Sequence, residues 1–127
     1  GDLAYMTIEE RKKLDEAVRM LEEAIQLDPN RSNYYMLLGL SQTHIPSLRH
    51  EAEKNLQKVI QMEPWSADPL FYLGQLYYVE QLPQKAATYF KKALEININH
   101  TLAGKMLRKM SNQNSKKSLL SFLKTRI

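Results

Sequence analysis

Asn33-Tyr34-Tyr35-Met36-Leu37-Leu38-Gly39 returns as Asp68-Pro69-Leu70-Phe71-Tyr72-Leu73-Gly74, so Leu38 and Leu73, and Gly39 and Gly74, stand 35 residues apart. Outside this stretch the same step continues. Ala17, Ala52 and Ala86 keep register, as do Leu21, Leu56 and Phe90, then Ala24, Val59 and Ala93, and Pro29 and Pro64 close two of the units. A period near 34 residues is the mark of stacked helical hairpins, each unable to bury its apolar face without a neighbour. Gly39 and Gly74 fall inside helical patterns, where glycine costs about 1 kcal/mol relative to alanine. A small residue is worth that cost where two helices approach closely.

Local signals place the elements. Thr7 followed by Glu10 forms a capping box ahead of the apolar stripe Leu14, Ala17, Val18, Leu21, Ala24 and Ile25, which predicts a helix from about Ile8. Asp28-Pro29-Asn30 stops it, because proline lacks an amide donor and restricts the residue before it. Ser32 or Asn33 is placed to cap a helix reaching about Thr43. Ile45-Pro46-Ser47 is a turn, and a further helix is predicted from about Leu48 to Gln61. Ala67-Asp68-Pro69 reads as a cap with proline in the first turn of a helix to about Glu80. Leu82-Pro83 opens the next helix, which Asn97-Ile98-Asn99 ends. The last stretch is expected as a helix over about Thr101 to Ser111, a polar break at Ser111–Ser115, and a short helix over Lys116 to Arg126. No segment alternates as a strand would.

These residues resemble the tetratricopeptide repeat, a helix-turn-helix unit. Its pattern puts a large residue, Leu-Gly and an aromatic on the first helix, then Ala, a large residue and Ala on the second. Leu70, Leu73-Gly74, Tyr77, Ala86, Phe90 and Ala93 carry the fit best. Tyr35, Leu38-Gly39, Ala52, Leu56 and Pro64 carry it in the preceding unit, which departs from the pattern at Gln42 and Val59. The expected organisation is one domain over residues 1–127: a partial unit at 7–30, repeats at 32–66 and 67–100, and a degenerate capping unit at 101–127. The fold class expected is all-α, a right-handed α–α superhelix of about six to seven helices.

With 127 residues, 43% hydrophobic and 25% charged, the composition is that of an ordinary folded domain. No apolar run approaches the ~18 residues of a membrane span, and no signal peptide is visible. Gly1-Asp2 lacks an initiator Met, so the chain reads as a fragment of a larger protein. Cysteine is absent, which removes disulfides and thiolate metal sites and suits a cytoplasmic location. The net charge of +4 is unevenly spread: no acid follows Glu95, while Lys105, Arg108, Lys109, Lys116, Lys117, Lys124 and Arg126 make that end strongly basic.

Nothing in the sequence has the spacing of a catalytic or metal site. His44, His50 and His100 share no ligand pattern and are read as surface residues. The paired acids Glu9-Glu10, Asp15-Glu16 and Glu22-Glu23 are read as a solvated helix face with ion pairs such as Glu9–Lys13. The expectation is a non-enzyme with no cofactor and no metal.

In the family that the chain resembles, the first helices line an inner surface, and this implies where a partner would bind. Asn33, Met36, Leu40 and Thr43 are assigned to that surface on one first helix, Phe71, Gln75 and Tyr78 on the next, and Lys105 and Lys109 on the third. The expected function is a protein-interaction module, a scaffold or adaptor that offers an apolar and aromatic groove with a cationic end to a partner's peptide or helix. Phe71→Ala and Tyr78→Ala are each expected to weaken binding while helicity is kept. A tetratricopeptide subset clamps C-terminal carboxylates with Lys, Asn and Arg. Leu37 and Tyr72 stand where its Asn would be, which disfavours that role. The basic end (Arg108, Lys116, Lys117, Lys124 and Arg126) is read as a cap, with Ser118–Leu123 docked on the preceding hairpin. Two alternatives stand beside the groove. One is an electrostatic adaptor for nucleic acid or an anionic surface, though nucleic acid is the disfavoured partner because aromatics are sparse there. The other is homo-oligomerisation, as a homodimer.

Overall fold

The computed structural model describes residues 6–125, all of whose regular structure is helical. The helices are α1 (Ile8–Leu27), α2 (Ser32–Thr43), α3 (Arg49–Met62), α4 (Asp68–Val79), α5 (Pro83–Ile96) and α6 (Thr101–Thr125), with a 3-10 turn at Pro46–Leu48. Each helix packs mainly on its neighbours in sequence, α1 on α2, α2 on α3, and so on to α5 on α6. Contacts of this local kind are what repeated hairpins make.

The ends of the helices follow the local chemistry. Glu10 N donates to Thr7 Oγ1 at 3.0 Å and Thr7 N to Glu10 Oε2 at 3.3 Å, so the capping box forms. On the exposed side of α1 the i,i+4 ion pair joins Arg11 to Asp15. Between α4 and α5 the chain turns through Gln81, whose φ of 62° is left-handed. Leu82 N reaches Tyr77 O and Gln81 N reaches Tyr78 O, the paired bonds that close a helix C-terminus in this way. Two predicted caps are absent. Arg31, not Ser32 or Asn33, precedes α2, and no side chain caps it. Ser32 Oγ instead donates to the Glu63 carboxylate, tying the start of α2 to the end of α3. Asp68 does not cap α4 but bonds to His100.

The periodic residues are where the hairpins close. Ala52, Leu56 and Val59 on α3 and Ala86, Phe90 and Ala93 on α5 are all fully buried. A methyl group added at Gly39 would lie 2.8 Å from Leu56 Cγ, and one at Gly74 would lie 2.6 Å from Phe90 Cε1. Ordinary carbon contacts begin near ~3.5 Å, so both glycines are required by close approach. The departure at Gln42 has a partner of its own. Tyr77 meets Tyr89 across the second hairpin with ring centroids 5.3 Å apart. The equivalent pair in the first hairpin is Gln42 and Asn55, joined by a 2.7 Å hydrogen bond from Asn55 Nδ2 to Gln42 Oε1. One hairpin thus uses two rings where the other uses two amides.

The core divides in two. A larger cluster runs from Ala52 and Leu56 through α4 and α5 to Ala103 and Met110. A smaller one of Val18, Leu38 and Ile45 holds α1 against α2. Tyr35 Oη donates to Pro29 O at 2.8 Å, fixing α2 beneath the end of α1.

The C-terminal segment differs from the expectation. No break occurs at Ser111–Ser115, and α6 continues unbroken for 25 residues. Ser, Asn and Gln are only mildly poor helix formers, and no Gly or Pro interrupts them. Ser118–Leu123 is not docked as a cap: Leu119 and Leu120 are 58% and 57% exposed. Thirty-four residues after Gly74 stands Arg108, so α6 lacks the small residue that lets α2 and α4 receive a second helix.

Candidate partner-binding face

Helices α2, α4 and α6 alternate with α3 and α5 along the chain, and α2 touches α4 directly. On α2, Asn33 is exposed and Met36 and Leu40 are half-buried, with Met36 against the larger core. On α4, Gln75 and Tyr78 are half-buried, and on α6, Lys105 and Lys109 are exposed. Tyr78 joins the last two helices. Lys109 Nζ lies 5.8 Å from the centre of its ring, within cation–π range. Tyr78 Oη donates to Gln113 Oε1 at 3.4 Å, a long and weak bond.

Two assigned residues leave this face. Phe71 is only 2% exposed, with its ring 5.5 Å from Phe90 and 5.0 Å from His100. Because α4 is apolar almost all round and covered on several sides, its core and groove stripes do not separate by spacing alone. The expectation that Phe71→Ala spares the fold is therefore withdrawn. Thr43 is also buried, and its hydroxyl donates to Gly39 O at 2.8 Å, one turn back on its own helix.

The cationic end is better defined than the sequence indicated. Lys105, Arg108, Lys109 and Lys116 line an open concavity of about 710 Å³ together with Asn112 and Gln113. Asn112 and Gln113 were not foreseen, since they fell in the supposed break. Once α6 is continuous, Gln113 lies one turn beyond Lys109 on the same side. Lys117 and Lys124 are exposed further along, and Arg126 lies outside the described residues.

His100 is not a surface residue. Its ring sits before α6, with Nδ1 accepting from Ala103 N at 3.2 Å and Nε2 3.0 Å from Asp68 Oδ1. An Nδ1 that accepts leaves the ring proton on Nε2, so the imidazole donates to Asp68 while capping α6. In this way one side chain fixes α6 relative to α4. Beneath the face, burial and then the hydrogen-bonded Glu53 carboxylate push the Tyr77 phenol well above its usual pKa.

Two family models match the chain, both described as tetratricopeptide repeat, one over residues 67–100 and the other over residues 9–31. The chain carries tetratricopeptide repeat sequence. The first match coincides with the α4–α5 hairpin. The second covers nearly all of α1 and the turn after it. No curated protein matches the chain at a significant level. Tetratricopeptide repeats generally mediate protein–protein interaction and scaffolding. No helix among the described residues is long and apolar enough to cross a membrane.

Proposed function

We propose that the chain is a protein-interaction module whose inner face, carried by α2, α4 and α6, receives an acidic peptide segment of a partner protein. The observation that carries this reading is the meeting of Tyr78, Lys109 and Gln113. It makes one surface from α4 and α6, with an aromatic ring beside a row of cations and no acidic residue after Glu95 to oppose them. Aliphatic side chains of the peptide would rest on Met36, Leu40 and Tyr78, and carboxylates would meet Lys105 and Lys109. The role is that of a scaffold or adaptor, and it needs neither cofactor nor metal.

Selection from a random-peptide display library tests this directly. Peptides recovered on the wild-type protein should be rich in Asp and Glu, and Lys105→Glu/Lys109→Glu should weaken them by roughly tenfold or more with the circular dichroism spectrum unchanged. Recovery of no peptide, or of peptides indifferent to the double reversal, refutes the assignment.

A further inference from the structure

The side of α6 turned away from α5 carries cations first and leucines after them. Ala103 and Met110, both buried, mark the side that packs on α5. With about 100° of turn per residue, Lys105, Arg108, Leu119 and Leu123 all fall within about 40° of the opposite side, and Lys116 within about 60°. Lys109 is turned toward α4, where it meets Tyr78. By the same geometry Lys117, Ser121 and Lys124 fall within about 40° of the Met110 side. The last turns of α6 are therefore amphipathic, with the leucines facing away from the body of the protein. Leu119 and Leu123 are each about half exposed or more.

This side is not built to receive another helix. Phe71, Gly74 and Tyr77 are the places where α4 meets Phe90 and Tyr89 of α5. Thirty-four residues further on stand Lys105, Arg108 and Ser111, all exposed. A helix laid there would bury two cations, and no acid follows Glu95 to pair with them. Nor are the leucines set in a groove. Residues 111–124 are all exposed, so a peptide laid along Leu119 and Leu123 would stay half in water. A bilayer surface encloses the whole apolar side of a protruding helix. It also offers phosphates and carboxylates to lysine and arginine, and clustered cations on an amphipathic helix match anionic lipid.

We propose that α6 lies in the plane of a membrane surface that bears anionic lipid. Leu119 and Leu123 enter the boundary between headgroups and acyl chains, and Lys105, Arg108 and Lys116 sit among the headgroups, their stems lying along the apolar layer. Lys117 and Lys124 stay on the water side, still within about one Debye length (~10 Å) of the anionic surface. The other helices are held away from the lipid, because α5 packs on the opposite side of α6. The contact is peripheral and spans nothing. It stands apart from the peptide reading, with which it shares only Lys105.

Flotation with vesicles tests this. At about 0.1 M salt the wild type should float with phosphatidylcholine vesicles containing about one-third phosphatidylserine, and not with pure phosphatidylcholine. Leu119→Gln/Leu123→Gln and Arg108→Glu/Lys116→Glu should each weaken binding by roughly tenfold or more, with the circular dichroism spectrum unchanged. The leucine variant should keep its affinity for acidic peptides selected on the wild type, which separates this proposal from the peptide reading. A wild type that does not float, or that floats equally with both vesicles, overturns the proposal. Undiminished flotation of the leucine variant also overturns it, since charge alone would then hold the protein. If that variant still floats but loses the selected peptides, the leucines serve a protein partner and the proposal fails.

Discussion

Three glycines in helices of one protein provide an internal measurement of close packing. In Gly74→Ala the new Cβ would stand 2.6 Å from Phe90 Cε1 and 2.7 Å from Cδ1. Carbon atoms rest about 3.5–4.0 Å apart, so something must move by roughly 1 Å. Phe90 cannot swing into solvent, since it is fully buried and its ring also meets Phe71. Overpacking of this kind costs about 1–3 kcal/mol. Alanine regains about 1 kcal/mol of helix propensity, leaving a net loss of about 0–2 kcal/mol. The rigid ring puts Gly74→Ala toward the upper end. Gly104→Ala is the matched control, because nothing lies within 4 Å of the added atom. It should gain the full ~1 kcal/mol. The two variants should thus bracket the wild type and differ by about 1–3 kcal/mol in urea unfolding followed by circular dichroism, with the slope m unchanged. In thermal melts the separation corresponds to about 3–6 °C per kcal/mol for a chain of this size. Gly39→Ala should fall between them, as its contacts are longer, 2.8 Å to Leu56 Cγ and 3.0 Å to Cδ2. Equal stabilisation by Gly74→Ala and Gly104→Ala would refute the close approach of α4 and α5, and with it the packing argument for the repeat.

Other consequences can be checked separately. Phe71→Ala should lose about 3–5 kcal/mol in the same unfolding assay, marking the ring as core rather than binding surface. Loss of the α6 cap in His100→Ala should cost about 0.5–2 kcal/mol, and Asp68→Ala should cost less because the cap itself remains; hydrogen exchange should show the first turn of α6 opening in His100→Ala alone. The Tyr77 phenol is raised in the folded state, so it binds its proton more tightly there than in the unfolded chain. Its contribution is complete below the unfolded value near ~10 and is lost as pH rises through the folded value. Urea midpoints should accordingly fall above about pH 10 in the wild type, and less so in Tyr77→Phe.

The hairpins were legible because close packing leaves a periodic trace: glycine against Leu56 and Phe90, alanines at each crossing, proline beyond two helix ends. Burial within α4 was not, since Phe71 and Tyr78 lie seven residues apart on one apolar helix and only the surrounding helices decide which is enclosed. The polar run Ser111–Ser115 misled for a different reason. Hydrophilic residues mark solvent exposure, and an exposed helix satisfies that as well as a loop does. The Gln42–Asn55 bond was half visible. An amide where an aromatic is usual was noticed, but its partner emerges only when residue 89 is seen to face residue 77. His100 had no signal, as capping by imidazole depends on where Asp68 lies in space.

Arg108 has a consequence for how such an array lengthens. In both hairpins the following helix packs against a glycine, and a second helix joined after α6 would meet a guanidinium in that slot. Tandem duplication at this end would yield a misfitted joint until Arg108 became Gly or Ala. Engineers who wish to extend the molecule should make that exchange first, and the gain in melting temperature upon adding a unit, with and without it, would report how strictly the slot controls growth.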